Sequence, residues 1–339
     1  MPAETVVITG ATAGVGRATA RAFACRRARI GLLARGVDGL NATAAEVQQA
    51  GGEALALPTD VADADAVESA ATAVERQFGP IDIWINCAMA TIFAPLHEIS
   101  PEEYRRATEV TYLGFVYGTM AALKRMRTRN RGTIVQVGSA LAYRSVPLQA
   151  PYCGAKHAIR GFTDSLRSEL EHEKSGIKLT MVQMPALNTP QFDWARNKMP
   201  RRPKPLGTIY EPEVAADAIV FGAHAGRREI YVGSATVEAI LANKVVPGLL
   251  DRVLARRAVG GQLARDPAAP DAPDNLFTPV PGDHGAHGRF DAQAKRGSIE
   301  LWLVKQRALL LAGGVGIAAL AAAALLSGRS SAMRRLLAS

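Results

Sequence analysis

Short apolar, β-branched runs alternate with longer amphipathic stretches along most of the chain. Glycine, proline and asparagine bound the runs, as they bound strands, and the stretches between them have helical periodicity. This alternation predicts βαβ units, and hence a parallel sheet with helices on both faces. Seven strands are predicted, at Val6 to Thr9, Ile30 to Ala34, Ala54 to Pro58, Ile81 to Asn86, Thr133 to Val137, Leu179 to Met184 and Ile230 to Val232.

The pattern changes after this alternating part, which we assign to one α/β domain at residues 1–236. Residues 237–265 are apolar helical segments that could pack on the core or lie at a membrane surface. Residues 266–298 are rich in proline and glycine without periodicity, which predicts a loop or linker. Residues 299–339 contain a candidate transmembrane helix at 308–327, because twenty positions without a charge span about 30 Å as a helix.

A glycine-rich turn follows the first predicted strand. Gly10, Gly14 and Gly16 are spaced GxxxGxG, which differs from the GxGxxG fingerprint and from the P-loop. Glycines let a ligand approach the backbone closely, and free N–H groups at a helix start attract a pyrophosphate. With the strand pattern, the turn predicts the fold class α/β: a Rossmann-type, doubly wound, parallel seven-stranded sheet with a C-terminal helical extension.

Ser139, Tyr152 and Lys156 form a second pattern, at and beyond the end of a predicted strand. Tyr152 and Lys156 are four residues apart and therefore share one helix face. An ammonium group beside a phenol lowers the phenol pKa from about 10 toward working pH. Such a phenol can give a proton to a carbonyl oxygen or take one from an alcohol, so the pattern predicts a proton-transfer site.

Together these motifs resemble the short-chain dehydrogenase/reductase family, in its compact single-domain branch. TGATAGVG is similar to the family's cofactor loop, Ser139, Tyr152 and Lys156 fall on its catalytic residues, and the resemblance covers residues 4–235. It implies an NAD(P)-dependent oxidoreductase in which the nicotinamide delivers hydride and Tyr152 supplies the proton. The implied cofactor contacts are Thr9, Gly10, Thr12, Gly14, Val15, Gly16, Arg17, Arg35, Asp60, Val61, Asn86, Ala88, Tyr152, Lys156, Pro185 and Thr189.

Two positions depart from the family pattern. Thr111 stands where the family usually has an asparagine that holds a water behind the lysine, and we expect Thr111 to take that catalytic role less firmly. Met89 replaces a glycine beside the cofactor. These changes leave open a weakened, non-catalytic protein that binds NADP as a regulator or scaffold.

The end of the second strand bears on cofactor choice. Ala34 occupies the place where NAD-users of the family carry aspartate, which would bind the ribose 2′-hydroxyl and repel a 2′-phosphate. Arg35 follows it, and Arg17 could add a second positive group. We therefore predict NADP(H) in preference to NAD(H).

The substrate prediction depends on the variable loop between Pro185 and Pro212. Phe192 and Trp194 in this loop, with Ser139 and Tyr152, are the predicted substrate contacts, and their character favours a hydrophobic carbonyl or alcohol. Basic residues in the loop leave a second hypothesis open, in which the protein is a soluble 3-oxoacyl-carrier-protein-type reductase. The expected membrane attachment through the C-terminal segment favours the first hypothesis, a hydrophobic carbonyl or alcohol substrate.

Composition limits the remaining possibilities. The chain has 339 residues and a formal net charge of +9, but the positive residues are dispersed, so we expect no nucleic-acid partner. Three cysteines cannot form a complete disulfide framework, and no histidine spacing predicts a metal. A catalytic domain facing the cytosol is expected, because Met1 leads directly into the first strand without a signal peptide. The resemblance also implies a possible homo-oligomer.

Overall fold

The computed structural model describes residues 3–269 and 271–307. The chain divides into two compact units, residues 1–298 and residues 299–339. A seven-stranded sheet with every neighbouring pair parallel forms the centre of the first unit. Its strands are β1 (Thr5–Thr9), β2 (Arg29–Ala34), β3 (Glu53–Pro58), β4 (Ile83–Asn86), β5 (Gly132–Val137), β6 (Ile177–Gln183) and β7 (Glu229–Tyr231). Their order, β7-β6-β5-β4-β1-β2-β3, confirms the predicted fold class.

Helices cover the two faces of the sheet. Helix α1 (Gly14–Ala24) contacts α2 (Val37–Gln49) and α8 (Pro212–Ala225) on one face. Helix α5 (Gly114–Arg129) contacts α3 (Ala64–Phe78) and α6 (Ala150–His172) on the other. Strands β1 and β4 are buried along their whole length, which explains their continuous apolar sequence. The helices of the first unit are α1 (Gly14–Ala24), α2 (Val37–Gln49), α3 (Ala64–Phe78), α4 (Pro101–Thr108), α5 (Gly114–Arg129), α6 (Ala150–His172), α7 (Gln191–Trp194), α8 (Pro212–Ala225), α9 (Ser234–Val245) and α10 (Pro247–Gly261).

Local sequence determines where several of these helices begin. The Asp63 carboxylate accepts hydrogen bonds from two backbone N–H groups of α3, and Ser100 with Glu103 forms a capping box at α4. A π-helical turn, Glu109–Leu113, joins α4 to α5. Short strand pairs accompany the main sheet: Ile92–Phe93 with Arg196–Asn197, Ala186–Leu187 with Ile209–Tyr210, and Arg201–Pro203 with Leu263–Pro267.

Most of residues 237–265 lie in helices α9 and α10, and Pro247 begins α10 one residue after α9 ends. Residues 263–265 instead belong to the short strand Leu263–Pro267. The described part of residues 266–298 is mostly irregular, and these residues belong to the first unit. Within them, residues 274–290 lie against the carboxyl edge of the sheet, and we call these residues the strap. Leu276 of the strap is completely buried, so this part of the chain contributes to the core.

The second unit contains helix α11 (Ile299–Lys305) among its described residues. The predicted transmembrane segment at 308–327 lies outside the described residues. Within residues 3–269 and 271–307, no helix has the length and apolar character needed to cross a bilayer.

Candidate active site

The carboxyl ends of the strands open into one cavity of about 430 Å³. Its walls are the glycine-rich turn, the ends of five further strands, helices α6, α9 and α10, and the strap. Ser139, Tyr152 and Lys156 all line it, as do the predicted substrate contacts Phe192 and Trp194. The structure therefore brings the two patterns of the sequence, the glycines and the proton-transfer residues, to the same space.

Ser139 follows β5, and Tyr152 and Lys156 lie one turn apart on α6. The Ser139 Oγ accepts a hydrogen bond of 3.1 Å from the Leu141 N–H, which orients the hydroxyl. Lys156 is only 2% exposed, and its Nζ donates to the Val137 carbonyl oxygen at 2.7 Å. The same Nζ lies 4.7 Å from the Phe115 ring centre and 5.5 Å from that of Tyr152.

Burial dominates the electrostatics of these residues. It lowers the pKa of Lys156 to about 8, because an ammonium group loses hydration in this site. Burial also raises the pKa of Tyr152 above its ordinary value, and the hydrogen bond with Ser139 opposes this increase. This differs from the expected lowering of the phenol pKa by the lysine. Tyr152 is consequently a neutral phenol at pH 7, in the form that can donate a proton.

The glycine-rich turn has the conformation that its sequence predicts. Gly10 and Gly14 have φ angles of +69° and +53°, in the left-handed region that favours glycine. A Cβ on Gly16 would come within 2.1 Å of the Gly10 carbonyl oxygen, so a side chain there cannot fit without displacing backbone. Helix α1 begins at Gly14, and its N-terminus therefore faces the cavity at the point where a phosphate would bind.

The two arginines predicted to hold a 2′-phosphate have different positions. Arg35 lines the cavity, and its guanidinium donates to the Phe277 carbonyl of the strap at 2.9 Å. Arg17 does not line the cavity, because its guanidinium is held by Glu46 at 2.9 Å and by Asp283. The predicted contact of Arg17 with the cofactor is thus not supported. Sequence reasoning missed a cation close to Arg35, which is Arg106. Burial is the main cause that lowers the pKa of Arg35, and the charge of Arg106 lowers it further.

Thr9 and Asn86 also lie outside the cavity lining. The Thr9 hydroxyl accepts hydrogen bonds from the N–H groups of Cys87 and Ala88 at 2.9 and 3.2 Å, so it shapes the turn after β4. The Asn86 side chain points into the core, where its amide donates to Gln136 at 2.9 Å. These two predicted contacts therefore do not form the wall of the cavity.

Thr111, predicted to hold a water behind Lys156, is completely buried on the π-helical turn. Its hydroxyl donates to the Ala90 carbonyl at 2.9 Å and accepts from the Ala90 N–H at 2.9 Å. The single donor of the hydroxyl is therefore already used. Thr111 ties the π-helical turn to the loop after β4 and does not line the cavity.

The remaining predicted cofactor contacts all line the cavity. These are Gly10, Thr12, Gly14, Val15, Gly16, Arg35, Asp60, Val61, Ala88, Tyr152, Lys156, Pro185 and Thr189. Sequence reasoning missed the walls contributed by Ala239 and Leu254 of the C-terminal helices, and by strap residues such as Pro279 and His284. The strap carries no periodic or motif signal, so only its packing could reveal this role.

Comparison with known proteins identifies the family. A model of the short chain dehydrogenase family matches residues 4–199, which include the glycine-rich turn and all three proton-transfer residues. The chain belongs to this family. It is thus an NAD(P)-dependent oxidoreductase, as the sequence predicts.

Individual proteins are similar to this short-chain dehydrogenase over about two thirds or more of its length. The uncharacterized oxidoreductase YxnA of Bacillus subtilis (strain 168) is 31% identical over 283 residues, which cover 83% of this chain and 80% of the relative. The 17-beta-hydroxysteroid dehydrogenase 13 of Rattus norvegicus is 32% identical over 232 residues, covering 68% of this chain and 75% of the relative. A metagenomic short-chain oxidoreductase crystallised with NADP superposes with a TM-score of 0.58 at 27% identity, covering 68% of this chain and 96% of that chain.

Proposed function

We propose that this short-chain dehydrogenase interconverts a carbonyl and an alcohol on an apolar substrate, with NADP(H) as its preferred cofactor. The observation that carries the proposal is the convergence of Ser139, Tyr152 and Lys156 on the cavity that the glycine-rich turn also lines. A nucleotide bound to the turn would lie within the same space as the proton donor, which hydride transfer coupled to protonation requires.

The chemistry follows from the groups that line the cavity. In the reducing direction, the Ser139 and Tyr152 hydroxyls hold the substrate carbonyl oxygen, and Tyr152 gives that oxygen its proton. Bound NADPH supplies the hydride to the carbonyl carbon. The Lys156 ammonium, fixed by the Val137 carbonyl at 2.7 Å, stabilises the phenolate that Tyr152 becomes after the transfer. In the oxidising direction the same groups act in reverse.

The preference for NADP(H) is supported by charge at the end of β2. Ala34 presents no carboxylate there, and Arg35 lines the cavity. Burial lowers the pKa of Arg35, and the charge of the nearby Arg106, which does not line the cavity, lowers it further. A 2′-phosphate beside Arg35 would be attracted by its guanidinium and would offset the repulsion from Arg106, which favours a 2′-phosphate over a hydroxyl. Asp60 forms an ion pair with Arg106 at 2.5 Å and partly offsets this attraction.

The apolar character of the substrate is supported by the lining of the cavity. Besides the cations Arg144 and Lys204, the lining contains aliphatic side chains from several elements. They include Leu141, Val146, Leu187, Leu206 and Leu254.

A panel of ketones, aldehydes and acyl thioesters, assayed for oxidation of NADPH and NADH, tests the proposal. We expect oxidation of NADPH with at least one apolar carbonyl compound, and we expect Tyr152→Phe to lower kcat by more than 100-fold while NADPH binding is retained. Tyr104→Phe, which changes a tyrosine outside the cavity, should leave kcat unchanged. Substantial activity in Tyr152→Phe, or no oxidation of either nucleotide, would refute the assignment.

The same panel separates the alternatives. A 3-oxoacyl-carrier-protein-type reductase would prefer acyl thioesters presented on a carrier protein. A non-catalytic NADP-binding scaffold would bind the nucleotide without oxidising it. Joint presence of Ser139, Tyr152 and Lys156 at the cavity argues against the scaffold.

We also propose that the protein attaches to an anionic membrane surface. Five exposed aliphatic side chains cluster where α9 and α10 meet, and we call this cluster the apolar corner: Leu241, Val245, Val246, Leu249 and Val253. Val245 is 78% and Leu249 57% exposed. Exposed cations on the same two helices complement anionic headgroups: Lys244, Arg252, Arg256 and Arg257. Since the inner sides of these helices line the cavity, a membrane-dissolved substrate would have a short route to it.

Cell fractionation tests the contribution of the C-terminal segment to this attachment. We expect the full chain in the membrane fraction, and we expect deletion of residues 300–339 to shift a large part of it to the soluble fraction. A full chain that stays in the soluble fraction would contradict the attachment.

A further inference from the structure

The strap, residues 274–290, contributes to the wall of the cavity close to the glycine-rich turn. Five of its residues line the cavity: Asn275, Pro279, Val280, Gly282 and His284. The glycine-rich turn, and Arg35 and Asp60 after the second and third strands, line the same cavity. The strap lies outside residues 4–199, which match the family model, so it adds a wall that this part of the chain does not supply.

Both ends of the strap are firmly anchored. At its start, Asp274 forms an ion pair with Arg196 at 2.8 Å, and the Leu276 side chain is fully buried. At its end, the Phe290 N–H donates to the Asn188 side chain at 2.9 Å. His287 lies between the carboxylates of Glu211 and Glu213, at 3.2 and 3.0 Å.

The middle of the strap is held by contacts to the nucleotide-binding elements themselves. The Asp283 carboxylate pairs with Arg17 of α1, and the Gly282 N–H donates to Asp38 of α2 at 2.9 Å. The Gly14 N–H of the glycine-rich turn donates to the Gly285 carbonyl at 3.3 Å. The Asp38 and Asp283 carboxylates are exposed, and Arg17, although only 3% exposed, keeps its ion pair with Glu46 when Asp283 moves away. These contacts can therefore open at a lower cost than the anchor at Leu276, which is completely buried.

We propose that the strap forms the outer wall of the nucleotide site and that its middle part must open before NADP(H) can leave. The inference rests on the proposed function, because it needs a nucleotide between the glycine-rich turn and the strap. The pairing of Asp283 with Arg17 is then the contact that holds the wall closed, since it is the one ion pair between the strap's described residues and α1. This also gives Arg17 a role: it fastens the wall and does not bind the phosphate.

Stopped-flow fluorescence of NADPH release tests the inference on the full-length protein. The purified chain is loaded with NADPH and mixed with excess NADP⁺, and the dissociation rate is recorded. We expect Asp283→Asn to raise the dissociation rate constant at least tenfold, because the neutral amide no longer forms the ion pair with Arg17. Asp283→Glu, which keeps the charge, should restore much of the slow release.

A matched control removes an ion pair far from the cavity. Glu173→Gln abolishes the exposed pair with Arg127, whose atoms are 2.9 Å apart, and should leave NADPH release unchanged. If Asp283→Asn releases NADPH at the wild-type rate, the strap does not control exchange, and the proposed function still stands. If the wild-type protein binds neither NADPH nor NADH, both the proposed function and this inference are overturned.

Discussion

The buried ammonium of Lys156 lowers the stability of the folded protein but serves the proposed chemistry. Its ammonium is almost fully buried, and burial lowers its pKa from the ordinary 10.5 to about 8. Between these two pH values the unfolded chain binds more protons than the folded chain, so the free energy of unfolding rises with pH across that window. Below pH 8 the folded protein bears the full cost of keeping the charge. That charge is what a phenolate at Tyr152 requires.

Replacing the lysine by an apolar residue should therefore stabilise the protein. The shift corresponds to about 3 kcal/mol, from which the lost hydrogen bond to Val137 must be subtracted. We expect Lys156→Met to raise the free energy of unfolding at pH 7 by about 1 to 3 kcal/mol while abolishing turnover. Chemical denaturation at several pH values measures this.

The gain should shrink between pH 8 and pH 10.5, where the wild-type protein loses the charge in its folded state. Lys178→Met, at an exposed lysine on β6, serves as the control and should change stability by no more than about 0.5 kcal/mol. A Lys156→Met protein less stable than wild type at pH 7 would show that the hydrogen bond outweighs the burial of the charge.

Elements show where sequence reasoning succeeds and where it stops. The glycine spacing predicted the turn correctly, because Gly10 and Gly14 need φ values that other residues rarely adopt. Asn86 and Thr111 were assigned to cofactor and catalysis by their positions in a motif, yet both side chains are used in packing one element against another. A motif fixes the position of a residue along the chain, whereas the direction of its side chain depends on partners distant in sequence.

Two glycines in helices allow a test of how packing depends on partners distant in sequence. A Cβ on Gly118 of α5 would come within 2.2 Å of the Asn86 Oδ1 and 2.7 Å of the Trp84 Nε1, two atoms of a buried hydrogen-bond network. We expect Gly118→Ala to lower the free energy of unfolding by about 1 to 3 kcal/mol, because the network must separate to admit the methyl group.

Gly161 of α6 is the matched control, because nothing lies within 4 Å of its added Cβ. There, Gly161→Ala should stabilise the protein by about 0.5 to 1 kcal/mol through higher helix propensity. Urea denaturation of both variants gives the comparison. Equal effects of the two substitutions would mean that α5 does not approach the sheet as closely as the structure indicates.

The whole molecule combines a sheet that its sequence specifies well with additions that it specifies poorly. The inner strands follow from local apolar runs, since a strand buried on both faces needs apolar residues throughout. The edge strands β3 and β7 are only partly buried. The strap has no such requirement, because backbone carbonyls and one carboxylate make most of its contacts with Arg35 and Arg17. Backbone groups are the same in every residue, so the sequence could not reveal that this segment closes the cavity.

The apolar corner is the surface feature through which we expect the whole molecule to bind a membrane. In a membrane-bound protein, the exposed side chains of Val245 and Leu249 would move from water into the interfacial region of the bilayer. Each nearby cation would strengthen the binding to anionic lipid by about 1 kcal/mol. We expect the unit at residues 1–298 to float with vesicles of phosphatidylserine and phosphatidylcholine at low salt, and to bind less at high salt. Circular dichroism would first establish that this shorter chain is folded.

Substitution of the two aliphatic residues by aspartate distinguishes lipid binding by the apolar corner from nonspecific lipid binding. Val245→Asp combined with Leu249→Asp should lower the vesicle-bound fraction at least tenfold, since it removes apolar area and adds negative charge facing an anionic bilayer. Leu96→Asp changes another aliphatic side chain, 62% exposed but outside the corner, and should have little effect. If both variants float like the unmodified chain, the corner does not bind lipid. If the unmodified chain binds no vesicles but sediments as a dimer that the double variant loses, a second copy of the chain covers the corner instead.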